Sequence, residues 1–241
     1  MTERPYPGAE LDVFARAEQW KSYLVSEIGP YLGARVLEVG AGIGATTRAF
    51  CERGRSERER DMWMCLDPDP AHVRTLGALV ERGELPGFCT VRCGTLGDLD
   101  RGALFDAILY VDVLEHIEDD AGEVRGAARH LRSGGHLVVL SPAHPWLYSP
   151  FDAAIGHHRR YTRASLRALA PGELEPVLLR YLDSVGLLAA AANRAALRQS
   201  HPTLRQILVW DRLMVRASRR LDPVLGHRLG RSVLGIWRRA R

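Results

Sequence analysis

Two stretches of this chain hold residues whose types and spacing can do chemistry. The first is VLEVGAGIGATT, Val36 to Thr47. Its apolar run, Val36, Leu37 and Val39, ends in Gly40, Gly42 and Gly44, and a helix-compatible segment starts at Ala45. Glycine accepts left-handed backbone angles and lets a ligand approach the main chain. A helix start adds unpaired N–H groups and partial positive charge, which suit an anion. The spacing is G-x-G-x-G, and Ala45 stands where the dinucleotide fingerprint G-x-G-x-x-G has its last glycine. Glu38 sits two positions before the first glycine and points to a ligand carrying an ammonium group instead of a pyrophosphate. Asp67, 23 residues after Gly44, is placed to accept both hydroxyls of a ribose. Its structural alternative is helix capping, shared with Asp69.

The second stretch is FDAAIGHHRRYT, Phe151 to Thr162. It brings Asp152, His157, His158, Arg159, Arg160 and Tyr161 close in sequence, with His144 just upstream. An imidazole titrates near neutrality, so His157 or His158 suits a general base. Arg159 or Arg160 can clamp a carboxylate or phosphate. The structural alternative is a loop whose Arg and Tyr side chains pack, with Thr162 capping the next helix. His144, Asp152 and His157 have metal-ligand chemistry, but their spacing matches no standard site. The four cysteines, Cys51, Cys65, Cys89 and Cys93, include no C-x-x-C pair and read as free thiols of a reducing compartment.

The elements that must carry these stretches follow from periodicity. An apolar stripe over residues 9–28 predicts a helical cover. Strands are predicted at 35–39, 62–66, 88–93, 106–111, 136–140 and 175–182. They are interleaved with helices at about 45–53, 71–82, 119–131 and 163–170. Strands that are apolar throughout, alternating with helices, imply a parallel sheet covered on both faces. Beyond it, helices are predicted at about 185–198 and 204–221, and a last one after Pro223.

Together VLEVGAGIGATT, Asp67, FDAILYVDVLEHIEDD (Phe105 to Asp120) and LRSGGHLVVLSPAHP (Leu131 to Pro145) resemble the class I S-adenosylmethionine-dependent methyltransferases. The resemblance covers about residues 32–182 and implies a Rossmann-like α/β sheet with helices on both faces. It implies that Glu38, Gly40 and Gly42 line the methionine end of S-adenosylmethionine and that Ala41 and Gly44 of the same turn also bind the cofactor. It further implies that Asp67 holds the ribose, Pro68 packs near the adenine, and Val111 and Asp112 lie beside the cofactor. Many relatives place an Asp after the glycine that ends strand three. Here that position is Thr95, followed by Leu96, with Asp98 as a substitute. The LEHI tetrapeptide, Leu114 to Ile117, is typical of a small-molecule branch in which the His, here His116, is mostly structural. Relatives with a similar histidine-arginine loop often carry a helical extension in place of the last strand.

Charge is uneven. Residues 194–241 hold twelve arginines against Asp211 and Asp222, net +10, so the remainder is −6 for a total of +4. Three uses of this tail are weighed: an amphipathic helix packed on the domain or on a second copy, contact with an anionic membrane surface, and weak nucleic-acid association. The last is disfavoured because no RNA- or DNA-binding module is present. The N-terminus has no apolar signal core and no run of about 20 apolar residues occurs, so a cytoplasmic protein is expected.

The reading is then a methyltransferase domain over 1–184 with a basic helical extension over 185–241, acting as a monomer or homodimer. It transfers a methyl group from S-adenosylmethionine to a small molecule, by O- or N-methylation. Its catalytic residues are sought among His157, His158, Arg159 and Tyr161, and no metal is called for. The rivals are a non-catalytic S-adenosylmethionine-binding regulator, an enzyme that consumes the cofactor itself, such as a cyclase, and a nicotinamide oxidoreductase. The G-x-G-x-G spacing and Glu38 speak against the last.

Overall fold

The computed structural model describes residues 9–53, 60–194 and 203–241. Seven strands form one sheet in the order β3-β2-β1-β4-β5-β7-β6. They are β1 (Arg35–Val39), β2 (Met62–Asp67), β3 (Cys89–Cys93), β4 (Phe105–Val111), β5 (Leu131–Pro142), β6 (Leu174–Leu182) and β7 (Ser232–Arg239). β1 to β5 pair in parallel, while β7 runs antiparallel to both β5 and β6.

The helices are α1 (Ala9–Phe14), α2 (Glu18–Ile28), α3 (Ala45–Arg53), α4 (Pro70–Glu81), α5 (Asp120–Arg129), α6 (Pro150–Ala154), α7 (Arg163–Ala168), α8 (Ser184–Ala192), α9 (Leu204–Val209) and α10 (Arg216–Val224). A π-helical turn over Trp210–Val215 joins α9 to α10. The predicted helix over 185–198 runs past the described residues after Asn193–Arg194.

Alternation along β1 sends Leu37 and Val39 to one core and Val36 to the other. α2 and α3 cover the Val36 face, and α5 and α7 the Leu37 face. Local chemistry sets the helix starts. Asp69 caps α4 through Ala71 N–H at 2.7 Å with Pro70 at the first position, and Thr162 caps α7 in a reciprocal box with Ser165.

One expectation fails. Residues after Pro223 form no further helix, and no helical extension replaces the last strand. Ser232–Arg239 is β7, with Val233, Leu234, Ile236 and Trp237 buried between β5 and the edge strand β6. A β-branched and aromatic run between two β-strands is worth more buried than solvated. The flanking Arg231, Arg238 and Arg239 hid this run among basic residues. Eight residues of the supposed extension, Ser232–Arg239, are therefore woven into the sheet.

The helical part of the tail packs on the domain. Asp211 lies in the π-helical turn and accepts the N–H groups of Gln19 (3.1 Å) and Trp20 (2.8 Å) at the start of α2. Asp222 accepts from Asp183 and Ser184 at the start of α8 and from the Tyr23 hydroxyl. Asp183, held at φ +67°, accepts from Gly186, Trp210 Nε1 and Ser218. These buried carboxylates satisfy helix-start donors that would otherwise be orphaned.

Candidate active site

The sheet's strand order reverses between β1 and β4, which opens a crevice at their C-terminal ends. A cavity of about 260 Å³ lies there, bounded by the glycine turn, α1, α2 and the histidine-arginine loop.

All three turn glycines have positive φ: Gly40 at 69°, Gly42 at 56° and Gly44 at 81°. Their reasons differ. A Cβ on Gly40 would stand 2.5 Å from Val113, and one on Gly44 2.7 Å from Leu76, so both are packing glycines. On Gly42 it would meet nothing nearer than Leu11 at 3.8 Å. The crest of the turn is therefore an open cradle beneath α1. Gly40, Ala41 and Gly42 line the cavity, and Gly44 lies behind them.

Asp67 braces this turn. Its Oδ2 accepts the Gly42 N–H at 2.8 Å, and its Oδ1 lies 2.9 Å from Asp69 N and 3.1 Å from His72 Nδ1. It does not cap α4. Glu38 departs from its expected place. It is 2 % exposed and turned under the turn, where its Oε2 accepts from Thr47 Oγ1 (2.6 Å) and Trp63 Nε1 (2.8 Å). Burial pushes its carboxyl up to about 7, against the pull of those two hydrogen bonds. Glu38 is therefore a buried brace and no part of the cavity wall.

Asp67, Pro68, Thr95 and Leu96 are not among the residues that line this cavity; Thr95 N–H and Oγ1 both donate to Asp98 Oδ2, at 2.7 and 2.8 Å. Leu96 is buried against Gly126 of α5. The Pro68 carbonyl lies 3.8 Å from Cys93 Sγ.

The histidine-arginine loop is sewn to the end of the sheet. Tyr161 N–H donates to Pro142 O (2.9 Å), His144 N–H to Tyr161 O (2.8 Å) and His158 N–H to Glu115 O (2.8 Å). This sorts the loop's candidates. His157 reaches the cavity, with its Nδ1 3.0 Å from Asp152 Oδ1. Arg160 also lines the cavity and grips Asp152 through Nε (2.8 Å) and Nη2 (3.1 Å). Burial alone would raise the Asp152 carboxyl, but the bonds from His157 and Arg160 carry it well below the usual range.

His158, Arg159 and Tyr161 are not brought to the cavity. His158 is exposed. Arg159 pairs with Asp120 at 2.6 Å and donates to Glu118 O. Tyr161 is 2 % exposed and bonds Asp120 Oδ2 at 2.8 Å. Burial and then Asp120 push its hydroxyl above its ordinary range, so it stays a fixed donor. His144 joins no metal-like set with Asp152 and His157. Its Nε2 lies 3.0 Å from Gly230 O and its ring stacks on Tyr181.

In their place the structure adds Glu115 and His116 from the turn after β4, beside the expected Val111 and Asp112. Val111, Asp112, Glu115 and His116 all line the cavity. Asp112 has φ +55° and an exposed side chain. Glu115 is fully buried, neither oxygen completes a hydrogen bond, and Oε1 stands 3.8 Å from His157 Nε2. Burial and the Asp112 charge push it well above the carboxylate range. The His116 ring, itself exposed, meets His157 edge-on at 4.6 Å. Glu115, His116 and His157 bring ligand-type atoms within 4.8 Å of one another. LEHI carried the signal for Glu115 and His116. Nothing local marked Lys21, Trp210 or Arg231, which complete the wall from distant elements.

Glycine turn, braced acid and strand order define a cofactor-binding α/β sheet of the methyltransferase type. Residues 37–137 match the family model described as a methyltransferase domain. The chain is 32% identical over 162 residues to a demethylmenaquinone methyltransferase of Tropheryma whipplei, covering 65% of this chain and 60% of that one. It is 30% identical over 166 residues to a ubiquinone biosynthesis O-methyltransferase of Idiomarina loihiensis, covering 67% and 64%. The matches thus span less than two thirds of these relatives' own length. Among solved structures, it resembles geranyl diphosphate C-methyltransferase of Streptomyces coelicolor A3(2) at TM-score 0.64, 15% identity, and coverage of 100% and 86%. It also resembles the [4+2]-cyclase SpnF at TM-score 0.60, 18% identity, and coverage of 92% and 80%. Residues 37–137 are a methyltransferase domain, of the class I S-adenosylmethionine-dependent type.

Proposed function

We propose that the protein transfers the methyl group of S-adenosylmethionine to a hydroxyl or amine of a small molecule. One observation carries this: a single cavity joins the glycine turn to the Asp152–His157 pair. The bound cofactor supplies a methyl group already activated on a sulfonium. The open crest at Gly42, with Gly40, Ala41 and Lys21 beside it, suits its amino-acid end. Asp67 holds the turn and has lone pairs left for a ribose hydroxyl. Pro68, Thr95 and Leu96 bound the adenine edge, and Val111 and Asp112 the sulfonium side.

The chain's task is alignment and removal of a proton. The Asp152 carboxylate, fixed by Arg160, accepts His157 Nδ1–H and leaves Nε2 as the basic nitrogen. Nε2 takes the proton from the acceptor. A side chain spent on an Asp–His pair inside the cavity favours catalysis over mere cofactor binding. Incubation with methyl-labelled S-adenosylmethionine and a panel of phenols, alcohols and amines tests the proposal. Label transfer supports it, and S-adenosylhomocysteine binding without turnover on any acceptor refutes it. Tight NAD binding with no S-adenosylhomocysteine binding would refute the cofactor.

No helix among the described residues is long and apolar enough to cross a membrane. The outer face of α9–α10 combines Arg212, Arg216, Arg219 and Arg220 with exposed Leu213 and Val224. That face supports peripheral contact with an anionic membrane. Co-sedimentation with phosphatidylglycerol vesicles, lost on Arg216→Glu/Arg219→Glu, is the expected result.

A further inference from the structure

Arg231 sits where the sheet allows its backbone no freedom. Its N–H donates to Asp183 O (3.0 Å), and its carbonyl accepts from Ala143 N–H (2.8 Å). A Cβ on the preceding Gly230 would lie 2.2 Å from the Leu182 carbonyl, so only glycine fits there. The chain then enters β7, and the Arg231 side chain lines the cavity with its guanidinium carbon 4.7 Å from the Trp210 ring.

Among the described residues, no carboxylate pairs with this guanidinium and no acceptor takes its N–H groups. Two of the three acids that act on it are committed, and Asp112, the third, is not paired with it. Asp183 accepts from Gly186, Trp210 and Ser218, and Asp152 from Arg160, His157 and Ser149. These two and Asp112 act on Arg231 only at longer range, and burial draws it below its ordinary value. An arginine does not shed its proton, so this half-buried guanidinium, with one face on an aromatic ring, keeps its charge and turns unpaired N–H groups to the cavity. Its planar set of five donors matches a carboxylate or a phosphate. Arg160, the cavity's other guanidinium, already holds Asp152.

The side of the cavity matters. β7 lies three strands from β1, roughly 14 Å across the sheet. The glycine turn belongs to β1, so Arg231 stands on the side left for the acceptor.

We propose that Arg231 anchors an anionic group, a carboxylate or a phosphate monoester, on the methyl acceptor. The proposal rests on the methyl-transfer reading above. It places the anion by β7 and the reacting hydroxyl or amine by His157.

The test is calorimetric titration of the S-adenosylhomocysteine-saturated protein with benzoate, phenyl phosphate and neutral benzamide at low ionic strength. The expected result is at least tenfold tighter binding of one anionic compound than of benzamide; which of the two binds identifies the anion. Arg231→Met removes that preference, Arg231→Lys keeps part of it, and the affinity for S-adenosylhomocysteine stays unchanged. Thermal stability of Arg231→Met close to that of wild type is also expected, because the guanidinium makes no hydrogen bond or ion pair for the substitution to break. A fall in stability would mark a structural arginine and overturn the proposal. Equal weakening of S-adenosylhomocysteine would assign Arg231 to the cofactor's own carboxylate and overturn it as well. Wild type that binds S-adenosylhomocysteine but prefers neither anion sinks this proposal alone. Wild type that binds no S-adenosylhomocysteine sinks the methyl-transfer reading and this proposal with it.

Discussion

Asp152 Oδ1 lies 3.0 Å from His157 Nδ1, and the same oxygen is held by Arg160 Nε at 2.8 Å. The pair therefore has one orientation: the carboxylate stays ionised, Nδ1 carries the proton, and Nε2 faces Glu115 and the cavity. This is how a carboxylate selects the useful tautomer of a general base.

Replacing His157 by Ala should lower kcat by about 10²- to 10⁴-fold, the usual contribution of a positioned base. Affinity for S-adenosylhomocysteine should change little, since His157 stands apart from the glycine turn. His158→Ala should keep near wild-type turnover. Initial rates at saturating acceptor decide the matter, and full turnover by His157→Ala would remove it from the mechanism.

Glu38 makes a prediction about pH. Its folded value of about 7 lies above the ordinary carboxyl value of 4.5, so the folded state binds this proton more tightly than the unfolded chain does. Its contribution to stability is fully present below about pH 4.5 and is lost as pH rises through 7. The loss is on the order of 3 kcal/mol by pH 8. Glu38→Gln keeps an oxygen for Thr47 and Trp63 and has no charge to bury. Denaturant titrations should show it gaining on wild type between pH 5 and pH 8. A difference that stays flat across that range would contradict the buried-brace role. A tenfold loss of S-adenosylhomocysteine affinity in Glu38→Gln would return Glu38 to the ammonium.

The three turn glycines should separate. Gly40→Ala and Gly44→Ala force a methyl against Val113 and Leu76 and should each cost about 2–4 kcal/mol, combining overpacking with left-handed strain. Gly42→Ala meets open space and should cost about 1 kcal/mol, mainly from its positive φ. Its larger effect should be on cofactor affinity, because the methyl fills the cradle. Melting temperature and calorimetry on the same three variants read both quantities.

The tail should prove indispensable. Asp211→Ala removes the carboxylate that receives Gln19 and Trp20, and about 1–2 kcal/mol is expected from the lost helix start. Deletion of residues 232–241 takes β7 from between β5 and β6 and should leave no cooperative unfolding transition. A truncated chain that melts like the full one would show that the sheet closes without β7.

Much of the sheet was legible because its strands are short apolar runs bounded by Gly, Pro and Asp, and each run is local in sequence. β7 escaped because its neighbours in the sheet, β5 and β6, are far away along the chain, while its neighbours in sequence are arginines. The histidine-arginine loop was visible as a cluster, but proximity in sequence could not rank its members. Backbone bonds to Pro142 and Glu115 turn His157 and Arg160 inward and leave His158 outside.

The sequence by itself determined the glycine turn, the acid after β2, the strand–helix alternation and hence the methyl donor, because each depends on residue types at short separations. Tertiary structure alone decided that Glu38 lies under the turn and that Glu115 and His116 face His157. It alone brought Arg231, 74 positions beyond His157, to the same cavity. Those facts depend on side-chain direction and on strand order in the sheet, and neither is carried by local spacing.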